Sequence, residues 1–227
     1  MKLAFDTSQT AGSIALWEEG RVLWTSAFEI SVTHSETLMP QVDAALKFCG
    51  FSPRDITAVL LTLGPGSFTG LRIGLATAKG IAYGLKIPLW AFSTLRLCAL
   101  QRHNCGRNIL TVMDAKMKEV YAALYDSQLR EIVPPRVCSP EEIAGWDLEE
   151  PYLLGSGTAL LEPFLRDKGI QTVSVLSQPL NASGLFTLAE LYPQPEAYDF
   201  EQLAALEPDY LRESTAQIRR RQHNPMN

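Results

Sequence analysis

The alternation of apolar and polar residues predicts three β-strands at the start of the chain. Residues 2–6, 13–17 and 21–28 are rich in β-forming side chains, and polar or glycine-containing turns separate them. The second turn contains Glu19-Gly20, a pair that favours a hairpin connection. These runs therefore predict a β-meander as the opening of the fold.

A helix and then alternating strands and helices follow the meander. Thr33 and Glu36 form a capping-box pair, which predicts the start of a helix that ends before Gly50. The apolar residues on one face of this helix are Leu38, Val42, Leu46 and Cys49. The pattern then predicts a buried strand at 58–63 and a helix at 71–85. A second buried strand follows at 87–92, and another helix at 94–103.

The same order of elements returns in the second half of the chain. Three strands, a helix beginning after Ser139, a strand, a glycine-containing turn and a helix are predicted there. The strands are predicted at 109–114, 120–125, 129–133 and 151–154. The turn is predicted at 155–158 and the final helix at 159–168. This duplication of pattern predicts two lobes of related architecture. Another helix is predicted at 181–191, before a proline-interrupted stretch and a basic tail.

Composition restricts the classes of protein to which the chain can belong. With 227 residues, 46% of them hydrophobic, it can bury roughly 70–75% of its unfolded surface without disulfides or a metal. The net charge of −5 argues against an autonomous nucleic-acid binder. The dense basic cluster at 219–221 is either a solvated tail, which we prefer, or a contact to phosphate.

Cysteine and histidine usage gives no indication of a metal site. The four cysteines contain no Cys-x-x-Cys pair, and the three histidines lack ligand spacing. The N-terminus lacks the apolar block of a signal peptide, and no apolar run approaches the length of a membrane span. We therefore expect a cytoplasmic protein that does not interact with membranes.

The glycine-rich run at 64–74, GPGSFTGLRIG, is the most informative segment. It lies between a buried strand and a helix, where backbone N–H groups and the helix dipole can bind an anion. The P-loop pattern fails, because Thr69 and Gly70 stand where Gly and Lys are required, and the dinucleotide pattern also breaks at Thr69. The run therefore either serves a different nucleotide fold or shapes a protein surface.

Glycines recur at i, i+4 spacing along the helix that follows, as the pairs Gly70/Gly74 and Gly80/Gly84. Each glycine inside a helix costs about 1 kcal/mol relative to alanine. Close backbone contact with a neighbouring element would compensate for this cost. The neighbour is either internal, which we prefer, or another chain.

Taken together, several motifs of the chain resemble the TsaB family. The similarity covers nearly the whole chain and is strongest through residue 121, and the long glycine run is its most specific part. The motifs are Asp6-Thr7-Ser8, His34-Ser35-Glu36, the run at 64–74, Ala78-Lys79-Gly80, the segment DAKMKEVY at 114–121 and Tyr210-Leu211-Arg212.

This resemblance implies an α/β fold of the actin-like ATPase (ribonuclease H-like) type. Each of its two lobes has a βββαβα core, and the lobes are expected at 1–104 and 105–227, the second being smaller and degenerate. It also implies a non-catalytic partner of a TsaD-type enzyme, which transfers a threonylcarbamoyl group to the tRNA adenosine beside the anticodon. A TsaE-type ATPase joins such an assembly, tRNA is reached indirectly, and the isolated protein forms a homodimer.

The resemblance places the partner interface on the two helices of the first lobe. Glycines would permit close approach there, and Leu38, Val42 and Leu46 would fill the seam between the chains. The predicted interface residues are His34, Glu36, Leu38, Val42, Leu46, Gly70, Leu71, Arg72, Gly74 and Ala78.

Candidate chemistry centres on Asp6, because the acidic residue that ends the first strand of actin-like ATPases organises Mg²⁺. The alternative, which we prefer for catalysis, is that Asp6 caps the following turn. We expect no cofactor of the chain's own, although ATP or ADP with Mg²⁺ could occupy the junction with the partner. The candidate nucleotide contacts are Asp6, Thr7, Ser8, Gly64, Gly66, Ser67 and Thr69.

Other constellations give weaker signals. His34 has Leu38 four residues later instead of a second histidine, so no metal pair is predicted, and Ser67 lacks the closing glycine of a nucleophile elbow. Lys116 and Lys118 either contact phosphate or belong to a solvated turn, and the turn at 155–158 either approaches an adenosine or packs helix on strand. The main alternative function is a small-molecule kinase or ATPase of the same fold. A dinucleotide-dependent oxidoreductase is disfavoured by the opening meander.

Overall fold

The computed structural model of the protein describes residues 1–29, 34–175 and 178–212, and of residues 34–36 it describes the backbone alone. Thr33 and the side chain of Glu36, which form the predicted capping box, and the basic tail lie outside the described part of the chain. Among the described residues, the first lobe contains five strands, three α-helices and two short 3-10 helices, Pro53–Asp55 and Leu100–Arg102. The strands and α-helices are β1 (Lys2–Asp6), β2 (Ala11–Glu18), β3 (Arg21–Glu29), α1 (His34–Cys49), β4 (Ala58–Gly64), α2 (Phe68–Leu85), β5 (Leu89–Ser93) and α3 (Thr94–Ala99).

The second lobe repeats this series of elements and adds one further helix. Its elements are β6 (Ile109–Lys116), β7 (Glu119–Tyr125), β8 (Glu131–Cys138), α4 (Pro140–Ile143), β9 (Tyr152–Leu154), α5 (Thr158–Asp167), β10 (Val173–Ser174), α6 (Gly184–Leu191) and α7 (Phe200–Ala205). None of the described helices has both the length and the apolar character needed to cross a membrane.

The two sheets have the same topology. The first has the strand order β3-β2-β1-β4-β5, and the second, read from its other edge, has the order β8-β7-β6-β9-β10. In each sheet the first three strands are antiparallel, and the next two are added in parallel beside the first. The structure thus confirms the predicted α/β fold of two lobes built on duplicated βββαβα cores.

Three apolar clusters hold these layers together. One lies between the first sheet and helices α1 and α2, and it contains Phe5 and Leu61. A second joins the two lobes around α3, whose Leu95 is fully buried and which contacts both β4 and β6. The third lies under α4 and α5 on the second sheet. Helix α3 therefore links the two lobes mechanically.

The C-terminal part of the chain differs from the predicted division at residue 104. Helix α7 returns to the first lobe and packs on α2, where Lys79 Nζ donates a hydrogen bond to the Ala204 carbonyl oxygen at 2.9 Å. Asp209 N donates to Leu63 O at 2.8 Å. Burial of Leu203 favours this return. Neither α7 nor the two-residue β10 is predicted from the sequence.

Candidate functional site

The glycine-rich turn lies where β4 ends and α2 begins. Ser67 caps the helix, because its Oγ accepts a hydrogen bond from Gly70 N at 3.2 Å. Strand β1 runs parallel to β4 in the sheet, so the carboxyl ends of both strands lie at the same edge. The Asp6-Thr7-Ser8 motif therefore meets the glycine-rich turn.

These two segments close on each other. Ser67 N donates to Ser8 O at 2.7 Å, and Thr7 Oγ1 donates to Gly70 O at 2.8 Å. A Cβ atom added at Gly66 would overlap Ser8, and one added at Gly70 or Gly74 would overlap Thr7. The structure therefore shows that the Gly70/Gly74 pair serves an internal contact, in line with the preferred explanation.

This closure changes the set of candidate nucleotide contacts. Asp6, Thr7 and Ser8 are at most 4% exposed, and Gly64 is also buried. As the turn stands, these four residues cannot touch a nucleotide, and their prediction as contacts is corrected. The other three candidates remain accessible: Gly66 is partly exposed, and Ser67 and Thr69 are exposed.

Asp6 has the environment of a turn cap. Its Oδ1 accepts hydrogen bonds from Ser8 N at 3.1 Å and from Thr62 Oγ1, whereas Oδ2 is buried and has no hydrogen-bond partner among the described residues. Burial raises the pKa of Asp6, and the hydrogen bonds from Thr62 and Ser8 oppose this rise. The structure thus favours the alternative in which Asp6 holds the turn.

Most of the predicted interface residues lie inside the chain's own core. The side chains of Leu38, Val42, Leu46, Leu71 and Ala78 are at most 3% exposed. The prediction that Leu38, Val42 and Leu46 fill a seam between chains is therefore wrong, because these residues form the face of α1 that packs on the sheet. Gly70 and Gly74 are corrected for the same reason, since both face Thr7.

The remaining predicted interface residues are Arg72 and two residues at the start of α1. Arg72 is exposed, and its guanidinium lies 4.0 Å from the Phe68 ring centroid. The side chains of His34 and Glu36 lie outside the described part of the chain.

The outward side of α1 and α2 is a different surface, which we call the outer helix face. A Cβ added at Gly80 or Gly84 would have no atom of the described residues within 4 Å, in contrast to Gly74. The residues that define this face are Met39, Ala76, Gly80, Tyr83 and Gly84, and all five are exposed. The i, i+4 spacing of Gly80 and Gly84 is the sequence signal for it.

The C-terminal segment bridges the two lobes, a feature that the sequence does not reveal. The Tyr210 ring stacks on Phe68 at a centroid distance of 4.7 Å, and Arg72 Nε donates to Tyr210 Oη at 2.8 Å. Arg212 Nη1 donates to Ala115 O at 2.8 Å and lies 3.3 Å from Glu119 Oε2. The Tyr-Leu-Arg motif therefore connects the start of α2 to the β6–β7 turn.

The two second-lobe candidates have structural explanations. In the β6–β7 turn Lys116 N donates to Asp114 Oδ1 at 2.7 Å, and contact with Lys116 lowers the pKa of Asp114. In the other turn, Gly157 N donates to Val112 O at 3.1 Å, and a Cβ at Gly155 would overlap this oxygen. The hydrogen-bonded β6–β7 turn accounts for the charge of Lys116, and close packing of helix on strand accounts for the glycine-containing turn at 155–158. Within the described residues, no three His, Cys, Asp or Glu side chains are grouped as metal ligands.

Comparisons with known proteins agree with this architecture. The family model for TsaD, tRNA N6-adenosine threonylcarbamoyltransferase, matches residues 29–219. The chain is 32% identical to the tRNA threonylcarbamoyladenosine biosynthesis protein TsaB of Bacillus subtilis, covering 96% of each chain. It is also 32% identical to TsaB of Haemophilus influenzae, covering 92% of each.

A solved structure extends the comparison to three dimensions. It is the crystal structure of an uncharacterized Pseudomonas aeruginosa protein with similarity to peptidase YEAZ. The two chains are 30% identical and superpose with a TM-score of 0.78, over 93% of this chain and 100% of the other. The chain therefore belongs to the family that the TsaD model describes and, within it, to the TsaB proteins of tRNA threonylcarbamoyladenosine biosynthesis.

Proposed function

We propose that the protein is a non-catalytic partner of a TsaD-type threonylcarbamoyltransferase in forming threonylcarbamoyladenosine on tRNA. The observation that carries this proposal is the closure of the glycine-rich turn on Thr7 and Ser8. In an actin-like ATPase this edge of the sheet would have to admit phosphate and Mg²⁺. Here Asp6 is fully buried, and the Ser67 amide is bonded to the chain itself.

The outer helix face is the proposed docking surface for the TsaD-type partner. Gly80, Gly84 and Ala76 would allow a partner helix to approach the backbone of α2 closely, and Tyr83, which is 53% exposed, would supply an aromatic anchor. This proposal keeps the partner interface on the helices of the first lobe, as predicted from the sequence. It replaces the buried residues of the predicted interface by those of the outer helix face. Arg72 and Thr69 lie farther along the same helix and extend the surface.

The rest of the assembly follows from the same proposal. A TsaE-type ATPase joins the pair, and ATP or ADP with Mg²⁺ would bind at the junction between the chains, outside the closed turn, where Ser67 and Thr69 are exposed. The tRNA is contacted through the complex as a whole, in the cytoplasm. Without its partner, the protein forms a homodimer through the outer helix face.

Substitution of Gly80 by Glu tests this docking surface. A buried charge at the centre of the interface should weaken association with the TsaD-type partner by at least tenfold, because its desolvation is not compensated. The fold should survive, since Gly80 has open space around it. A matched control is Ala159→Glu, on the exposed side of α5 in the other lobe.

Affinity for the purified partner is measured by titration calorimetry, and threonylcarbamoyl transfer to tRNA is assayed in parallel. Wild-type affinity for Gly80→Glu would refute the proposed surface. ATP turnover by the purified chain alone at enzymatic rates would refute the non-catalytic role and favour the kinase or ATPase alternative.

A further inference from the structure

The two sheets present four edge strands, and three of these are protected against pairing with another strand. Strand β8 contains Pro134, Pro135 and Arg136, and prolines cannot donate to a ladder. Strand β10 has only two residues. Strand β5 has five residues and is flanked by a C-terminal segment, where Trp90 Nε1 donates to Pro195 O at 2.7 Å.

Strand β3 is the exception among the four. It is nine residues long, and its interior, from Val22 to Phe28, has neither a charged residue nor a proline. Within residues 1–29, 34–175 and 178–212, β3 pairs with β2 alone. A register shift near Leu23 leaves 24–29 as a regular run, about 20 Å long. A long, uncharged edge of this kind is a template for another strand.

The two ends of β3 indicate which strand fits. Arg21 stands at one end and Glu29 at the other. Antiparallel pairing of two copies brings the Arg21 end of one beside the Glu29 end of the other, whereas parallel pairing would bring like charges together. Antiparallel pairing therefore makes the two ends of the strand complementary in charge between two copies.

We propose that β3 is a self-association edge, through which two copies of this chain pair in antiparallel fashion to form one continuous ten-stranded sheet. This contact uses residues outside the outer helix face, so it does not depend on the proposed partner. A protein dimerised through β3 would still present two outer helix faces.

The test is made in the Gly80→Glu background, in which the outer helix face is blocked. Sedimentation velocity over a concentration series should still show a monomer–dimer equilibrium. Arg21→Glu should raise the dimer dissociation constant about tenfold, because the two-fold axis places two like-charged pairs in the interface. The double variant Arg21→Glu/Glu29→Arg should restore dimerisation, since it recreates both unlike pairs.

Two further measurements keep the test independent of any folding defect. Ala27→Lys places a charge on the edge and should give a monomer, whereas Ile132→Lys on the protected β8 edge should leave the equilibrium unchanged. Hydrogen exchange of the chain with an unaltered β3 should show amide protection at 24–28 that increases with protein concentration.

The outcomes separate clearly. A protein that stays monomeric up to the highest concentration in the Gly80→Glu background overturns the proposal. So does an Arg21→Glu variant with an unchanged dissociation constant, or equal loss of dimer from Ile132→Lys. Loss of the TsaD-type partner's binding would bear only on the outer helix face, and β3 pairing would be unaffected.

Discussion

Two glycines of α2, six residues apart, should respond to alanine in opposite ways. At Gly74 an added Cβ would overlap Thr7 Oγ1, whereas at Gly80 it would meet no atom within 4 Å in the part of the chain that the structure describes. Alanine at either position gains about 1 kcal/mol of helix propensity. The sign of the net effect therefore depends only on the space around each residue.

The cost at Gly74 can be worked out from its neighbour. Thr7 is 4% exposed and donates its hydroxyl hydrogen bond to Gly70 O at 2.8 Å. To make room for a methyl group, Thr7 must rotate and lose this bond, which costs about 1–3 kcal/mol, and further overpacking costs about 1–3 kcal/mol. After the gain in propensity, Gly74→Ala should lower the free energy of unfolding by about 1–5 kcal/mol. Gly80→Ala should raise it by about 1 kcal/mol.

Urea denaturation followed by circular dichroism measures both changes. A double-mutant cycle with Thr7→Ala isolates the steric term: without the hydroxyl group, Gly74→Ala should be nearly neutral or stabilising. If Gly74→Ala and Gly80→Ala shift stability in the same direction, or if the Gly74→Ala cost persists in the Thr7→Ala background, the proposed closure of the turn is wrong.

The remaining predictions concern the cap and the C-terminal bridge. The folded state holds the Asp6 proton more tightly than the unfolded chain, so the stabilisation from Asp6 is complete below the ordinary aspartic acid pKa of 3.8 and is lost as pH rises through the raised pKa. Asp6→Asn keeps the acceptor for Ser8 N and has no carboxyl group that loses a proton. Its free energy of unfolding relative to wild type, measured by urea titration, should therefore increase from acidic to neutral pH. A difference that does not depend on pH would contradict a raised pKa of Asp6. Tyr210→Ala removes the ring stack on Phe68, worth about 0.5–1.5 kcal/mol, and should speed proteolysis and amide exchange at 207–212. Val22→Ala, on an exposed side chain, is its control, and equal rates in both variants would show that the stack does not hold the segment.

Local patterns predict most of the elements but not how their faces are used. The run at 58–63 and the helix that follows it are recognisable because each is specified by neighbours in sequence. The partner of the glycine-rich turn is not, since Thr7 lies more than 60 residues earlier and meets Gly70 only when β1 and β4 pair. An anion site and a closed turn therefore produce the same local signature.

The corrected interface has a similar cause. Periodicity identifies Leu38 and Val42 as one apolar face of α1, but it does not say whether that face covers the chain's own sheet or another protein. The most apolar face of α1 packs on the chain's own sheet, because burying that face stabilises the folded monomer. The surface that stays exposed around Gly80 has few large apolar side chains. Apolar periodicity in the sequence therefore does not identify it.

The bridge formed by Tyr210 and Arg212 restricts how the molecule can move. A hinge motion that parts the halves must break the Tyr210–Phe68 stack or withdraw Arg212 from Ala115 O. Opening of the two lobes and release of residues 210–212 are thus a single event. A ligand that binds Tyr210 or Arg212 in place would therefore slow rotation of the lobes relative to each other.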